Sequence, residues 1–172
     1  MIDVAKNPSD AVEKALNLFG NDILRFAYSY MKNREDAEDV VQETLIRLMQ
    51  SQLVFENEQK EKAWLFTVAS NLCCDQLKNA ERRYTSAMPE GYEAAGPEHS
   101  EPDEGSDVLR EVLQLPEKYR SVIHLYYFEE YSIREIAGII GKKEVTVRSL
   151  LKRGRERLQK KLKGESGHAE GI

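Results

Sequence analysis

Residues 86 to 107 read SAMPEGYEAAGPEHSEPDEGSD: seven acidic side chains, no Lys or Arg, three prolines and three glycines. A segment so poor in apolar side chains cannot bury enough surface to offset the entropy of ordering it, and its like charges push it open. It therefore cuts the 172 residues into two pieces. Each piece can bury only a modest core, which favours compact helical modules. Charged residues are 32% of the chain and Gly and Pro are few outside this segment, again as expected of helices. The reading is an all-α chain: two small helical domains, 10–85 and 107–163, joined by a flexible acidic linker over 86–106. Residues 164–172 read as a frayed tail.

The stretch from Tyr131 to Leu162 carries the clearest local signals. Ser132 can cap a helix, and Glu135 three residues on can complete a capping box. Ile133, Ile136, Ala137 and Ile140 recur at helical spacing, and Gly141 is a natural stop. A second helix is expected from near Glu144, with Val147, Leu150, Leu151, Leu158 and Leu162 as its inner stripe. Thr146, Arg148, Ser149, Lys152, Arg153 and Arg155 point elsewhere. Two helices joined by a tight Gly-containing turn, the second carrying polar and cationic side chains outward, suit a helix-turn-helix. A major groove admits one helix, bases are read there by hydrogen-bonding side chains, and phosphates attract Lys and Arg. Between Lys142 and Lys163 there are ten basic residues and two acidic ones, in a chain whose formal net charge is -5. A solvated basic helix closing a bundle is the plainer alternative.

The N-terminal piece reads as three helices. The first is expected to start at Asp10 with Glu13 in its first turn, and to bury Leu16, Phe19, Ile23, Phe26, Ala27 and Tyr30. Gly20-Asn21-Asp22 is expected to bend or restart it. Asn33 caps the next, about 34–50, whose acidic start suits the helix dipole. There Ala37, Val40, Val41, Thr44, Leu45 and Leu48 face a core, while Asp39, Gln42, Glu43 and Ile46 share the outward face. Carboxylates and an amide around one aliphatic side chain fit docking to a basic protein surface, although a charged solvated face is the default for such a helix standing alone.

A polar connection over 51–59 leads to a third helix, about 59–83. Leu65, Val68, Ala69 and Leu72 make its inner face, leaving Trp64, Phe66, Asn71, Asp75, Lys78, Arg82 and Arg83 for other faces. Aromatics interleaved with amide and basic groups suit single-stranded nucleic acid. For Trp64 a core position is at least as good a reading, and for Phe66 the two are balanced. Beyond the linker, Asp107–Leu115 reads as a short helix and Pro116 as the first turn of another. Val122, Ile123, Leu125, Tyr126 and Phe128 are expected to pack under the helix-turn-helix.

Other chemistry is poorly supported. Cys73 and Cys74 are adjacent, which disfavours pairing with each other, and no spacing suggests zinc. No cofactor, metal or catalytic constellation is expected, since His99, His124 and His168 are scattered. No apolar run approaches the roughly 18 residues of a membrane span, and MIDVAKNPSD lacks the signature of a signal peptide, so a cytoplasmic location is expected.

Taken together, three stretches resemble the bacterial sigma factors of the extracytoplasmic-function group. NREDAEDVVQETLIRL (33–48) is similar to the family's helix that docks on core RNA polymerase. AWLFTVASNLCCDQLKNAERR (63–83) is similar to its segment for recognising and melting the promoter -10 element. LPEKYRSVIHLYYFEEYSIREIAGIIGKKEVTVRSLLKRGRERL (115–158) is similar to its -35-binding domain. The resemblance implies polymerase contacts by Asp39, Gln42, Glu43 and Ile46. It implies contacts to single-stranded -10 DNA by Phe66, Asn71, Asp75, Lys78, Arg82 and Arg83, and to the double-stranded -35 element by Thr146, Arg148, Ser149, Lys152, Arg153 and Arg155. It also implies an anti-sigma factor as a partner, and a role in a stress or envelope response.

The chain departs from the family pattern at Lys143, Val145, Leu150 and Gly154. Lys143 stands where Ser or Thr usually caps the recognition helix, and Val145 where Gly is common. Leu150 stands where Arg is frequent. Gly154 replaces a usual Ala and would cost roughly 1 kcal/mol of helix stability if exposed. An atypical -35 preference is expected from these changes. The rival readings are a stand-alone helix-turn-helix regulator, which leaves 64–83 unexplained, and an adaptor or anti-sigma antagonist that only occupies polymerase.

Overall fold

A computed structural model of the chain describes residues 7–87 and 107–170, with side chains described over 7–81 and 110–163. Every described element is helical. The chain divides into two compact units, one within Met1–Glu98 and one within His99–Ile172. Most of the expected linker, from residue 88 on, lies outside the described residues.

The first unit holds α1 (Pro8–Met31), α2 (Arg34–Ser51) and α3 (Glu58–Ala87), each packed on the other two. α1 begins two residues earlier than the pattern implied. Asn7 caps it, accepting from the Ser9 N–H at 3.4 Å, and Pro8 occupies the first turn. The helix is continuous through Gly20-Asn21-Asp22, where a bend or restart was expected; Gly20 is buried, with Leu16 of the preceding turn beside it. Leu16 itself stays largely exposed. The turn into α2 takes only Lys32, in the left-handed conformation, and Asn33, whose side chain accepts from the Asp36 N–H at 3.1 Å. Asn57, unmarked in the sequence reading, caps α3 by accepting from the Lys60 N–H at 2.9 Å.

At the centre of this unit is Phe26. Its ring meets those of Phe66 and Tyr30 edge to face, at centroid distances of 4.9 and 5.3 Å. Ile23, Ala27, Val40, Leu45, Leu65, Ala69 and Leu72 are buried in the same unit. The Tyr30 hydroxyl and Ser70 Oγ are hydrogen-bonded at 3.0 Å, so both polar groups are satisfied in the core.

The second unit holds α4 (Asp107–Gln114), α5 (Glu117–Ile123), a π turn (His124–Phe128), α6 (Ile133–Ile140) and α7 (Glu144–Glu170). Pro116 stands at the N-cap of α5 rather than inside its first turn. Arg120 is buried and donates from Nη1 to the Leu115 carbonyl at 2.9 Å, satisfying the end of α4. Burial lowers its pKa, and Glu117 opposes the shift. The π turn was not foreseen: the Glu129 N–H donates to the His124 carbonyl at 3.1 Å, one residue further than in an α-helix. His124 Nε2 lies 3.5 Å from Glu129 Oε1, both nearly buried, with the imidazole stacked on Phe128.

The capping box of α6 forms in full. The Glu135 N–H donates to Ser132 Oγ and the Ser132 N–H to Glu135 Oε1, each at 3.1 Å. Gly141 ends the helix at φ 68°, a conformation that costs glycine nothing. Within α6 the buried apolar residues are Ile136, Ala137 and Ile139, with Ile133 and Ile140 only partly covered. α7 continues to Glu170, through the stretch expected to be a frayed tail.

Gly154 also departs from expectation. It is buried where α7 crosses α5, and a Cβ there would stand 2.8 Å from Ile123 Cδ1 and 3.3 Å from Tyr119 Cβ. The glycine lets two backbones approach, so its helix-propensity cost accompanies a packing contact rather than an exposed position. Gly154→Val is expected to lower stability by about 1–3 kcal/mol through overpacking. A thermal or urea unfolding curve of the variant beside the parent chain checks this.

Candidate nucleic-acid and protein-docking surfaces

α2 spends one stripe on the core, with Ala37, Val40, Val41, Thr44, Leu45 and Leu48 all buried. The opposite side therefore presents Asp39, Gln42 and Ile46, all exposed, with Glu43 half-exposed beside them. Glu43 reaches Arg47 Nε at 3.5 Å, one turn on. Ile46 is 41% exposed, and Met49, one turn further, is 43% exposed. The face thus grades from carboxylates near the N-terminus to apolar side chains near the C-terminus. Met49 was missed in the sequence, although it stands three residues beyond Ile46 in the same period.

On α3 the structure separates residues that the sequence left together. Phe66 is fully buried against Phe26 and faces the core, so its assignment to a DNA surface is corrected. Leu65, Phe66, Ala69, Leu72 and Cys73 form one buried stripe of α3. Trp64 is partly buried and packs on Phe55 at 5.6 Å. Asn71, Asp75 and Lys78 are exposed and stand at i, i+4 and i+7, on one side of α3. Arg82 and Arg83 fall in the same helix, and their side chains lie outside those described. Lys62 is tied to Asp22 of α1 at 3.1 Å, fixing the start of α3 against the bundle.

On α7, Val147, Leu150, Leu151 and Gly154 face inward. Leu150 is thereby a core residue, which accounts for an aliphatic side chain at that position. Thr146, Arg148, Lys152, Arg153 and Arg155 are exposed and Ser149 is half-exposed. Arg148, Lys152 and Arg155 stand at i, i+4 and i+7, a cationic stripe along the helix that follows the Gly141 turn. Thr146, Ser149 and Arg153 form the adjacent stripe. This is the arrangement a groove-reading helix needs: short hydrogen-bonding side chains near its start, flanked by cations for phosphates.

Tyr127 and Phe128 are 50% and 47% exposed, not buried under the helix-turn-helix as expected for Phe128. The wider π turn rotates them off the core. Among the described residues, no group of three or more His, Cys, Asp or Glu could hold a metal, and no helix is long and apolar enough to cross a membrane.

Residues 16–83 match the family model of sigma-70 region 2, and residues 106–158 that of sigma-70 region 4. The chain is 30% identical to the ECF RNA polymerase sigma factor SigW of Bacillus subtilis, across 93% of each chain. It is 35% identical to the ECF RNA polymerase sigma factor SigL of Mycobacterium tuberculosis, over 74% of this chain and 75% of that one. Among solved structures it resembles the sigma factor RpoE of Bartonella quintana, crystallised with the anti-sigma factor NepR. That match has a TM-score of 0.69 and 28% identity, and covers 88% of this chain and 96% of the other. The fold is also that of CnrH, with a TM-score of 0.63 at 21% identity over 94% of this chain and 92% of that one.

The burial of Phe66 has a direct consequence. Phe66→Ala is expected to destabilise the first unit by about 3–5 kcal/mol, as deletion of a buried ring does elsewhere. Urea unfolding of the variant measures this.

Proposed function

Since this chain belongs to the extracytoplasmic-function group of RNA polymerase sigma factors, we propose that its two units divide the work of promoter selection. The chain is a sigma factor: it joins core RNA polymerase and directs it to promoters. The first unit docks on polymerase through the α2 face of Asp39, Gln42, Glu43 and Ile46. It receives single-stranded -10 DNA along Asn71, Asp75, Lys78, Arg82 and Arg83 of α3. The second unit places α7 in the -35 major groove, with Thr146, Ser149 and Arg153 toward bases and Arg148, Lys152 and Arg155 toward phosphates.

The observation that carries this reading is the segregation of charge. The outward face of α2 is acidic with an apolar end, and the outward face of α7 is cationic. One suits a basic protein surface, the other a nucleic-acid backbone. The acidic linker tethers two weak DNA contacts so that polymerase-bound promoter DNA meets both at high effective concentration. The chain contributes no catalysis of its own and works in the cytoplasm. By likeness to the sigma factor held by NepR, an anti-sigma factor is the partner that restrains it, released by an envelope or other stress signal.

In vitro transcription with purified core polymerase and a pool of genomic promoter fragments tests the proposal. Discrete transcripts that share two upstream elements are expected; core binding without transcripts would make the chain an adaptor instead. Arg148→Ala and Lys152→Ala should each weaken use of the -35 element by roughly three- to tenfold, the effect of losing one phosphate contact. Asp39→Ala combined with Glu43→Ala should weaken binding to core polymerase and leave unfolding temperature unchanged. Core affinity by a pull-down titration and promoter use by transcript yield separate the two effects.

A further inference from the structure

The π turn brings two consecutive tyrosines onto one side chain of α7. The guanidinium carbon of Arg155 lies 5.6 Å from the centroid of the Tyr126 ring and 5.8 Å from that of Tyr127. The two rings meet edge to face, 4.9 Å apart at 77° to one another. Arg155 therefore sits in a corner with two aromatic walls. Neighbouring residues of an α-helix point about 100° apart and seldom share a partner. Here the backbone widens, with the Glu129 N–H reaching the His124 carbonyl and the Tyr131 N–H the Leu125 carbonyl. Tyr126 is partly buried and Tyr127 half-exposed, so one ring roots the corner in the unit and the other closes it at the surface.

An arginine on a helix surface samples many rotamers, and ordering it on a ligand costs entropy. A guanidinium held in a corner of two aromatic rings has fewer rotamers left to lose. The two rings stand at 77° to one another and wall two sides of the guanidinium, while the exposed side chain keeps N–H donors available on its open side. Arg155 ends the cationic stripe that begins with Arg148 and continues with Lys152. We propose that Tyr126 and Tyr127 are positioning residues for promoter recognition, holding Arg155 so that the edge of its guanidinium meets a phosphate of the -35 duplex. The inference rests on the reading that α7 occupies that major groove. A tyrosine pair that merely packed the π turn onto α7 would affect stability and leave the ionic-strength dependence of DNA binding untouched.

The test uses the full chain assembled with core polymerase, on a promoter fragment recovered in the transcription experiment, over a series of salt concentrations. Arg155→Ala should weaken binding roughly three- to tenfold and reduce the slope of log affinity against log salt by about one. Tyr126→Leu with Tyr127→Leu should reproduce both changes. Adding Arg155→Ala to that pair should change little more, because the three side chains act as one unit. Tyr126→Phe with Tyr127→Phe keeps the ring faces and should restore both readouts. If the leucine pair does not fold, Tyr127→Leu alone, on the half-exposed ring, carries the same expectation at smaller size. Parent-like affinity and slope in the leucine variants, with both lost in Arg155→Ala, would refute the positioning role and leave Arg155 on DNA. No effect of Arg155→Ala would remove the phosphate contact itself, and the inference with it.

Discussion

Each unit is so small that every helix must commit a full stripe to the core, and whatever function the helix has must be carried by what remains. That constraint organises the molecule. On α2 the buried stripe from Ala37 to Leu48 leaves Asp39, Gln42 and Ile46 outside. On α7 the stripe of Val147, Leu150, Leu151 and Gly154 leaves the cations outside. Function here is assigned by subtraction: a side chain is available to a partner only if the bundle does not need it. Phe66 is the instructive case, since its chemistry suits base stacking and its position belongs to Phe26.

The two outward faces differ in what they can do physically. The α2 face offers carboxylates beside aliphatic side chains, a combination that both steers a basic partner and gives it apolar surface to bury. The α7 face offers point charges and forks on a rigid rod, which suits a regular array of phosphates. The net charge of -5 means that the chain as a whole is not drawn to nucleic acid. The cationic helix acts locally, within roughly a Debye length of its own surface.

Much of the fold was legible because its signals are local. Asn33, Ser132 with Glu135, and Gly141 mark helix ends by chemistry that operates over three or four residues, and all three devices form. Tertiary features were less legible. Gly20-Asn21-Asp22 looks like a break, yet α1 continues through it with Gly20 buried. Gly154 looks like a weakness until the approach of α5 is seen. The π turn has no compositional marker at all, and with it the outward turn of Tyr127 and Phe128 was hidden. The faces of α2 and α7 followed from periodicity. Phe66 did not, because at that position two period-based readings were equal and only the neighbouring helix decides between them.

The connection between α1 and α2 is two residues long, Lys32 and Asn33, and α3 returns after a short segment. α1 packs most extensively on α2, its neighbour in sequence, and small helical bundles fold in microseconds to milliseconds. A ribosome adds only about 5–20 residues per second. The three-helix unit emerges and closes on itself on the order of seconds before α7 has been synthesised. The surface of α2 is thus finished while the second unit is still in the exit tunnel, and the order of assembly follows the order of the chain.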